Sequence, residues 1–533
     1  MANTLYYGDN LHVLREHVAD ESVDLIYLDP PFNSNANYNI LFKSPGGQDS
    51  DAQIEAFEDT WHWNASAESA FDEVMKSGNN DAFTLLRAMR DFLGDNDMMA
   101  YLAMMAVRLL ELHRVLKPTG SLYLHCDPTA SHYLKLLLDG VFGADRFRNE
   151  IIWERTNAHN LRTAGWTRSN DTIFFYSKGA HWNFNVQYQP YGPEQMKRFR
   201  SDETGRLYKA ENLTFSSANP NRQFDWRGTT PPAHRSWGAS MEQLEAWWAE
   251  GRILTRRDGS PRMDGLKIYL DDLPGKPIGT NWNDIDRVGN TSGERLGYPT
   301  QKPLALLERI IAASSNEGDV VLDPFCGCGT AVHAAEKLGR RWIGIDLTHL
   351  AIGLIEKRMT QAFPGIAFEV KGRPQSLEDA LDLARRDKHQ FELWALSVVE
   401  AVPWKGGRKG ADTGIDGIIW FKPDGRRSEK AIVEVKGGGV GVKDIGRLAQ
   451  VMEREGALIG VFLTAQPPTR AMERDAAAVG MWTQEETGRT FPRLQIITLA
   501  ELFQNKRPQI PWIDTTAART ARREATGKQG TLL

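Results

Sequence analysis

The chain has 533 residues, of which 41% are hydrophobic and 25% charged, with a formal net charge of -5. This length predicts about three or four compact units, and the net charge excludes a globally basic nucleic-acid binder. The N-terminus does not resemble a secretory signal, and no apolar run reaches about 18 residues, so we expect a soluble cytoplasmic protein without a membrane span. Cys126, Cys326 and Cys328 cannot form a disulfide framework and make a poor zinc signature.

The first 153 residues alternate between apolar runs and amphipathic segments. The runs TLYYG, VDLIYL and GSLYLHC predict strands, and NLHVLREH, MMAYLAMMAVRLLELHRVL and ASHYLKLLLDGVF predict helices. Such alternation is typical of a doubly wound α/β sheet. The same rhythm returns in PLALLERIIAASS, DVVLDPF, GTAVHAAEKLG, RWIGIDL and AIGLIEKRM.

Between these two stretches the chain is rich in Trp, Gly, Pro and Arg and has few recognisable helices. Its basic segments, KRFRSDETGRLYK and RILTRRDGSPRMDGLK, indicate either a solvated surface or a nucleic-acid-binding surface. A second, smaller α/β pattern and a basic tail follow. The predicted boundaries are 1–153 and 285–365 for the two halves of the first domain, 154–284 for an insert, 366–384 for a linker, 385–508 for the second domain and 509–533 for the tail.

The segment DLIYLDPPF places Asp29 directly after an apolar strand and follows it with Pro30 and Pro31. At the carboxyl end of a strand in an open α/β sheet, a side chain points into the crevice where ligands bind. The prolines remove two N–H donors, which leaves Asp29 and nearby carbonyls as acceptors, and Phe32 adds a flat apolar face. This combination suits a planar heterocycle with an exocyclic amino group. A simple turn after the strand is the alternative.

A second strand ends in the segment VVLDPFCGCGT, which supplies Asp323 and then Gly327 and Gly329 before a helix. The glycines allow the backbone to approach a ligand closely. A dinucleotide fingerprint requires a further glycine where this chain has Val332, which disfavours a phosphate-binding loop. Asp346 ends the next strand, in the position of an acidic residue that binds ribose hydroxyls.

The order of LYYGDN, LIYLDPPF, YPTQKPLALLERII, LDPFCGCGT and IGIDL resembles the permuted, β-class amino-group DNA methyltransferases over about residues 1–365. The resemblance implies a Rossmann-like fold that uses S-adenosylmethionine, with the insert as a target recognition domain. In that domain we expect aromatic and Arg residues between Trp166 and Trp237, with Trp226 and Arg227 first, to contribute to specific DNA binding. The resemblance implies a catalytic motif formed by Asp29, Pro30, Pro31 and Phe32. It implies cofactor-binding roles for Asp9, Gln301, Lys302, Pro303, Asp323, Phe325, Gly327, Gly329, Thr330 and Asp346.

In this family a leading Asp in the motif favours adenine over cytosine as the methylated base. Adenine inside duplex DNA is inaccessible, so the enzyme is expected to bind double-stranded DNA and flip the base out of the helix. Asp29 and the Pro30 carbonyl would accept the two N–H groups of the base, while Phe32 stacks on its ring. Catalysis would then rest on positioning and electrostatics.

The last third contains GADTGIDGIIWF followed by KAIVEVKGGG, so Asp416 precedes one strand while Glu434 and Lys436 lie on one face of the next. Two carboxylates and a lysine would hold Mg²⁺ and activate water for attack on a phosphodiester. Solvated strand charges are the alternative. Residues 385–505 resemble the Mrr-like PD-(D/E)xK restriction endonucleases, which implies a metal site at Asp416 and Glu434. Glu392 is a candidate for a further carboxylate.

Together these features predict an adenine-specific DNA methyltransferase fused to a Mg²⁺-dependent endonuclease, as in single-chain restriction-modification or phage defence. One alternative is a C-terminal domain that binds DNA without cleaving it, and another is methylation of RNA or protein amino groups. The terminal peptide QGTLL, Gln529–Leu533, resembles peptides that bind bacterial sliding clamps, whereas a disordered tail is the simpler interpretation. A homodimer is among the expected assemblies.

Overall fold

A computed structural model describes residues 2–30, 38–43, 49–57, 63–156, 166, 169–217, 219–289, 292–296, 298, 300–404, 414–424, 427–485 and 487–511, with backbone alone for 38–43, 49–57 and Leu350. Within these ranges no helix is both long and apolar enough to span a bilayer. The chain divides into two compact units. One comprises the residues up to Asn185 and from Thr280 onward, and the other comprises Val186–Gly279.

The residues before the insert form strands and helices that confirm the predicted alternation. In chain order they are β1 (Thr4–Tyr7), α1 (Asn10–His17), β2 (Val23–Leu28), β3 (Tyr38–Lys43), β4 (Asp49–Phe57), α2 (Ala65–Lys76), α3 (Asn80–Leu93), α4 (Asp97–Val115), β5 (Leu116–Cys126), α5 (Ser131–Phe142), β6 (Phe147–Glu154) and β7 (Asn170–Ser177). The side chains of Asp9, Asn64, Asn79 and Asn96 accept backbone N–H bonds at the starts of α1 to α4. These caps satisfy donors that a helix terminus leaves unpaired.

The described residues of the second unit form short strands and two α-helices. They are β8 (Tyr188–Gln189), α6 (Pro193–Met196), β9 (Arg200–Ser201), β10 (Leu207–Glu211), β11 (Thr214–Phe215), β12 (Ser236–Trp237), α7 (Met241–Ala249), β13 (Ile253–Thr255), β14 (Pro261–Tyr269) and β15 (Lys276–Pro277). Four of them form an antiparallel sheet in the order β13-β14-β10-β9. Leu213, Trp226, Trp237, Leu244 and Ile253 belong to its core.

The compact insert begins later in the chain than the predicted range 154–284. Strand β7 lies inside that range, yet it pairs with β5 and β6 in the large sheet. Seven of its eight residues are buried, because the apolar run DTIFFYS is covered within the sheet. The irregular composition around this strand concealed it in the sequence.

The residues after the insert complete the large sheet. They form β16 (Asn281–Trp282), α8 (Leu304–Ser314), β17 (Val320–Asp323), α9 (Thr330–Lys337), β18 (Arg341–Asp346), α10 (His349–Ala362) and β19 (Glu369–Lys371). The strand order is β16-β6-β7-β5-β2-β17-β18-β1-β19, and only β7 runs antiparallel to its neighbours. In the centre, Leu25 of β2 is opposite Val321 of β17. The two halves of the chain therefore form one α/β sheet, as the predicted fold class requires.

The C-terminal domain contains a smaller mixed sheet with its own apolar core. Its elements are α11 (Leu377–Arg386), α12 (Lys388–Val398), β20 (Val402–Pro403), β21 (Gly417–Phe421), β22 (Glu429–Lys436), α13 (Val442–Glu455), β23 (Ile459–Thr464), α14 (Arg470–Ala478), β24 (Met481–Thr483), β25 (Thr490–Pro492), β26 (Leu494–Thr498) and α15 (Leu499–Phe503). The strand order is β20-β21-β22-β23-β26, with β22, β23 and β26 parallel.

The predicted linker 366–384 contains regular structure instead of a simple connection. It includes β19, which pairs with β1, and most of α11. Leu383 of α11 packs in the same core as Val433 of β22. The high polarity of this helix reflects its exposed face, which is why the sequence resembled a linker.

Candidate active sites

Four neighbouring parallel strands of the large sheet bring acidic residues to one edge. Asp29 follows β2, Asp323 ends β17, Asp346 ends β18 and Asp9 lies just beyond β1. These strands are adjacent in the sheet order. This edge is where open α/β sheets bind ligands.

The first acidic residue, Asp29, forms an ion pair with Lys302, whose Nζ atom lies 2.5 Å from the carboxylate Oδ2 atom. The two side chains are 16% and 11% exposed, respectively. Pro30 is buried, whereas Pro31 and Phe32 lie outside the described residues. Lys302 was predicted only as part of a segment that contacts a cofactor, and the structure brings it directly to Asp29.

The glycine-rich loop is held between the ends of β17 and β18. The carboxylate of Asp323 accepts the backbone N–H of Phe325 at 3.0 Å, and that of Asp346 accepts the N–H of Gly327 at 2.8 Å. Gly327 and Gly329 have φ angles of 51° and 76°, which favour glycine. The loop backbone is therefore fixed before helix α9 begins.

Burial governs the ionisation of the two carboxyls at this loop. It raises the pKa of Asp323 well above its usual value, and the negative charges of Asp29 and Asp346 act in the same direction. Burial also raises the pKa of Asp346 to about 6, although hydrogen bonds from Thr348 and Gly327 oppose the shift. The pKa values of both groups are therefore governed mainly by their burial.

Two further residues predicted to bind the cofactor have clear structural contacts. One oxygen of Asp9 caps α1 and the other lies 2.8 Å from the Nη2 atom of the buried Arg108. The Gln301 amide donates to the Glu294 carbonyl at 2.6 Å and accepts from the Leu296 N–H at 2.8 Å. Gln301 thereby fixes the segment that carries Lys302.

The remaining predicted cofactor residues begin helices. Pro303 precedes α8 and lies next to Lys302, and Thr330 is the buried first residue of α9. The Thr330 hydroxyl accepts a hydrogen bond at 3.1 Å from the Nη1 atom of Arg358, which also donates to the Cys328 carbonyl at 3.0 Å. Arg358 thus supports the glycine-rich loop from α10. No sequence pattern signalled this buried arginine, because it lies in an ordinary helical segment.

A buried chain of hydrogen bonds beside Asp29 was also not predicted from the sequence. The Tyr27 hydroxyl is 2.9 Å from His125 Nδ1, and His125 Nε2 is 3.1 Å from a carboxylate oxygen of Asp171. All three residues are at most 2% exposed. Tyr27 and Asp29 are two residues apart, so this chain of hydrogen bonds lies close to the edge of the sheet that bears Asp29. The histidine at the end of an apolar strand, in GSLYLHC, was the available signal.

In the C-terminal domain, Glu434 and Lys436 lie on the same face of β22, as their spacing predicted. Lys436 Nζ is 3.0 Å from Glu434 Oε1. Asp416 immediately precedes β21, and its Oδ2 atom accepts the Val435 N–H at 2.6 Å. The structure therefore brings the three predicted nuclease residues to adjoining strands.

Glu434 has an unusual environment for a carboxylate. It is 0% exposed, and neither oxygen accepts a hydrogen bond of good geometry from any described residue. Lys436, whose Nζ atom lies 3.0 Å from Oε1, is the cation paired with this carboxylate. Burial raises the pKa of Glu434, and the cations Lys436 and Arg447 oppose the shift. A buried carboxylate with unsatisfied oxygens is suited to a cation.

Glu392 does not join this pair as a third metal ligand. It lies on α12, which packs against β22, and the described residues contain no cluster of three or more metal-ligating side chains.

An open cleft of about 450 Å³ lies at the end of β22. Its lining residues are Leu377, Glu378, Leu381, Arg385, Gly437 and Gln466.

In the insert, Trp226 and Arg227 were the predicted DNA contacts, and the structure separates their roles. Trp226 is only 2% exposed and belongs to the core, where its ring packs edge-on against Trp237 and Trp248. Arg227 is exposed. Trp226 is therefore a structural residue, and Arg227 is the accessible one. Trp166, named with the same surface, is fully exposed.

Comparison with known families gives one match to the part of the chain that forms the large sheet and another to the C-terminal domain. A family described as DNA methylase matches residues 23–357, and a family described as restriction endonuclease matches residues 383–486. The type II methyltransferase M.EcaI of Enterobacter cloacae is 29% identical over 363 residues, covering 67% of this chain and 69% of M.EcaI. The StyLTI Mod subunit of Salmonella typhimurium, a type III restriction-modification enzyme, is 26% identical over 356 residues, covering 63% of this chain and 50% of that subunit.

Among solved structures, TTHA0409 of Thermus thermophilus, complexed with S-adenosyl-L-methionine, covers 69% of this chain and 99% of its own. The identity is 18% and the TM-score 0.34, a likeness that supports no functional argument.

The parallel strand ends and the glycine-rich loop define an α/β protein of the Rossmann-like methyltransferase class. Because the methylase family matches well over half of its length, the chain belongs to the DNA methylase family. It also carries a restriction-endonuclease-like domain at its C-terminal side.

Proposed function

We propose that the protein transfers a methyl group from S-adenosylmethionine to the exocyclic amino group of adenine in double-stranded DNA, and that its C-terminal domain cleaves DNA with Mg²⁺. The contact between Asp29 and Lys302 supports the first activity most directly. A carboxylate at the ligand-binding edge accepts an N–H donor from a nitrogen 2.5 Å away. The amino group of a flipped base is a donor of the same kind.

The chain has residues that suit S-adenosylmethionine at this edge. Gly327 and Gly329 leave room for close approach of a ligand to the loop, and Asp346 would accept hydrogen bonds from ribose hydroxyls. Asp323 and Phe325 would lie at the methionine end. When bound, S-adenosylmethionine supplies an electrophilic methyl group on a sulfonium.

The residues of the chain would position the base for this transfer. Asp29 and the Pro30 carbonyl accept the two amino hydrogens, which weakens delocalisation of the nitrogen lone pair into the ring. The carboxylate then stabilises the positive charge that develops on the nitrogen. Lys302 must move from Asp29, or share it, as the base enters. The choice of adenine over cytosine rests on the leading Asp of the motif. The assignment to the permuted class rests on the order of the motifs, because Asp29 precedes the glycine-rich loop in the chain.

The second activity rests on Glu434. Its side chain is fully buried with the Lys436 ammonium 3.0 Å away, and Asp416, at the start of the adjoining strand, contributes a second carboxylate. These carboxylates would hold Mg²⁺, which supplies an activated water and neutralises phosphate charge. Lys436 would stabilise the same phosphate.

The test combines purified protein with unmethylated DNA, S-adenosylmethionine and Mg²⁺. Sequencing should detect methylated adenine within one motif, and gels should show nicks or breaks. Methylation of cytosine alone would overturn the assignment of the base. Absence of cleavage on unmethylated, methylated and hemimethylated DNA would favour a C-terminal domain that binds DNA without cutting it.

A further inference from the structure

We propose that Arg227 is a specificity-determining residue that reads a guanine in the major groove of the target DNA. This inference deepens the proposed function and rests on it. It follows from the backbone of the turn that carries Arg227, from the contacts of its guanidinium, and from comparison with a second arginine of the same unit.

The turn is a tight two-residue hairpin with an unfavourable residue at its tip. Trp226 and Thr229 exchange backbone hydrogen bonds of 2.9 and 3.0 Å. The two residues between them, Arg227 and Gly228, have φ angles of 52° and 73°. Positive φ at both central positions is the pattern of a type I′ turn, in which Asn, Asp or Gly is preferred at the first position. Arg is a poor choice for this backbone.

The guanidinium of Arg227 is held in one orientation at the surface. Its Nε and Nη2 atoms donate to the two oxygens of Glu245 at 3.2 and 2.6 Å. Its Cζ atom lies 4.5 Å from the centroid of the Trp248 ring. Glu245 also accepts the Trp226 indole N–H at 2.7 Å, which anchors the carboxylate to the core.

This pairing occupies only one edge of the guanidinium. Arginine has five N–H donors in a planar fork, so the edge formed by Nη1 and Nη2 points away from the Glu245 carboxylate. Guanine presents two acceptors, O6 and N7, to the major groove, and bidentate arginine is the commonest partner for them. A flat, pre-oriented arginine fits that pair of acceptors.

Arg206 of the same unit shows that these side-chain contacts do not require a strained backbone. Its Nε and Nη2 atoms donate to Asp271 at 3.0 and 2.8 Å, and its Cζ atom lies 3.9 Å from the Tyr269 ring. The side chains of Arg206 and Arg227 are 43% and 42% exposed. In the turn before Arg206, the left-handed position is occupied by Gly205, with φ of 87°. An exposed ion pair adds little stability in water, so the contact with Glu245 does not by itself explain an arginine at a left-handed position.

The experiment compares Arg227→Asn, Arg227→Lys and the matched control Arg206→Asn in the full chain. Asparagine suits the turn, so Arg227→Asn should leave hydrogen-exchange protection of the hairpin unchanged or increased. The same variant should lower kcat/KM at the cognate site on the order of ten- to a hundredfold and relax the methylated motif at one base pair. Arg227→Lys keeps the charge but loses the fork, so it should relax the same base pair. Arg206→Asn should leave the motif unchanged.

Three results would overturn the proposal. Arg227→Asn could retain the wild-type motif and rate, or it could lose activity equally on all sequences, as expected for a phosphate contact. A third result would be that Arg227→Asn loosens the hairpin while Arg227→Lys keeps the wild-type motif. That result is expected if Arg227 only stabilises the turn. If wild type and Arg206→Asn methylate one motif, these results leave the proposed function intact. If wild type methylates no DNA, both claims fail together.

Discussion

The two candidate sites each contain a carboxylate beside a lysine, but the pairs are built differently. Asp29 and Lys302 are separated by 273 residues and meet at 2.5 Å with a direct hydrogen bond. Glu434 and Lys436 are neighbours on one strand, 3.0 Å apart, and the Glu434 oxygens accept no well-formed hydrogen bond from the described residues. The first carboxylate has a partner of the kind a substrate amino group would provide. The second is fully buried with another carboxylate, Asp416, nearby, which favours a metal cation.

The largest expected effect is loss of methyl transfer in Asp29→Ala. Removing the acceptor of the base amino group should lower kcat by at least a hundredfold, on the order expected for one charge-stabilising group. Binding of S-adenosylmethionine should be nearly unchanged, because the proposed role of Asp29 is to contact the base. Calorimetric titration should show a weaker cofactor affinity in Asp346→Asn but not in Asp29→Ala. Equal loss of cofactor affinity in both variants would contradict the division of roles.

The second prediction concerns the nuclease pair. Glu434→Gln and Lys436→Ala should each reduce Mg²⁺-dependent cleavage on the order of a hundredfold while adenine methylation stays unchanged. Mg²⁺ should also raise the melting temperature of wild type and not of Glu434→Gln, because a ligand stabilises the state that binds it. Equal stabilisation of both proteins would place the cation elsewhere.

The third prediction uses the raised pKa of Glu434. The folded state retains a proton that the unfolded state releases near its ordinary value of 4.5, so metal-free stability should fall as pH rises through and above that value. Glu434→Gln lacks this group, so its stability should fall less over the same pH range. Denaturant unfolding of the C-terminal domain without Mg²⁺ measures this, and a fall as large in Glu434→Gln as in wild type would reject the mechanism.

The fourth prediction concerns Asp346, whose pKa is raised to about 6 by burial. Its ionised form is the better acceptor for ribose hydroxyls, so affinity for S-adenosylmethionine should fall as pH decreases through about 6. The loss should be at most about tenfold per pH unit below that value. Asp346→Asn should bind weakly with little pH dependence. A wild-type affinity that is flat across this range would show that Asp346 does not carry the ribose contact.

The smallest expected effect comes from the tail, which lies outside the described residues. If Gln529–Leu533 binds a sliding clamp, its deletion should abolish clamp pull-down while both activities on purified DNA remain unchanged. Mutation of Asp29 or of Glu434, the carboxylates of the two pairs, should not affect the pull-down. Clamp binding that survives the deletion would dispose of the assignment.

Much of the methyltransferase site was predictable from local pattern. The apolar runs that end in Asp29, Asp323 and Asp346 indicated the strands, and parallel strands present their carboxyl ends at one edge. The pairing of Asp29 with Lys302 was not predictable, since no local rule specifies a contact between such distant residues. Arg358 lacked any signal for the same reason.

For the predicted nuclease residues and for the insert, the sequence indicated which residues lie together but not how deeply they are buried. Period-two spacing placed Glu434 and Lys436 on one face, and their 3.0 Å contact confirms it. The full burial of Glu434 depends on helices packed from elsewhere, which spacing alone does not reveal. Trp226 was interpreted as a DNA contact because of its basic surroundings, but the hydrophobic effect places it in the core.

The pairing of β2 with β17 also imposes an order on biosynthesis. A nascent chain cannot close the large sheet until β17 leaves the ribosome, because β2 is buried between β5 and β17. Both β17 and β18 nevertheless precede the strands that carry Asp416 and Glu434. At a translation rate of about 5–20 residues per second, the edge that bears Asp29 and Asp346 can assemble roughly 5–20 s before β22 emerges. Each new molecule would thus complete the proposed methyltransferase site before the proposed nuclease site.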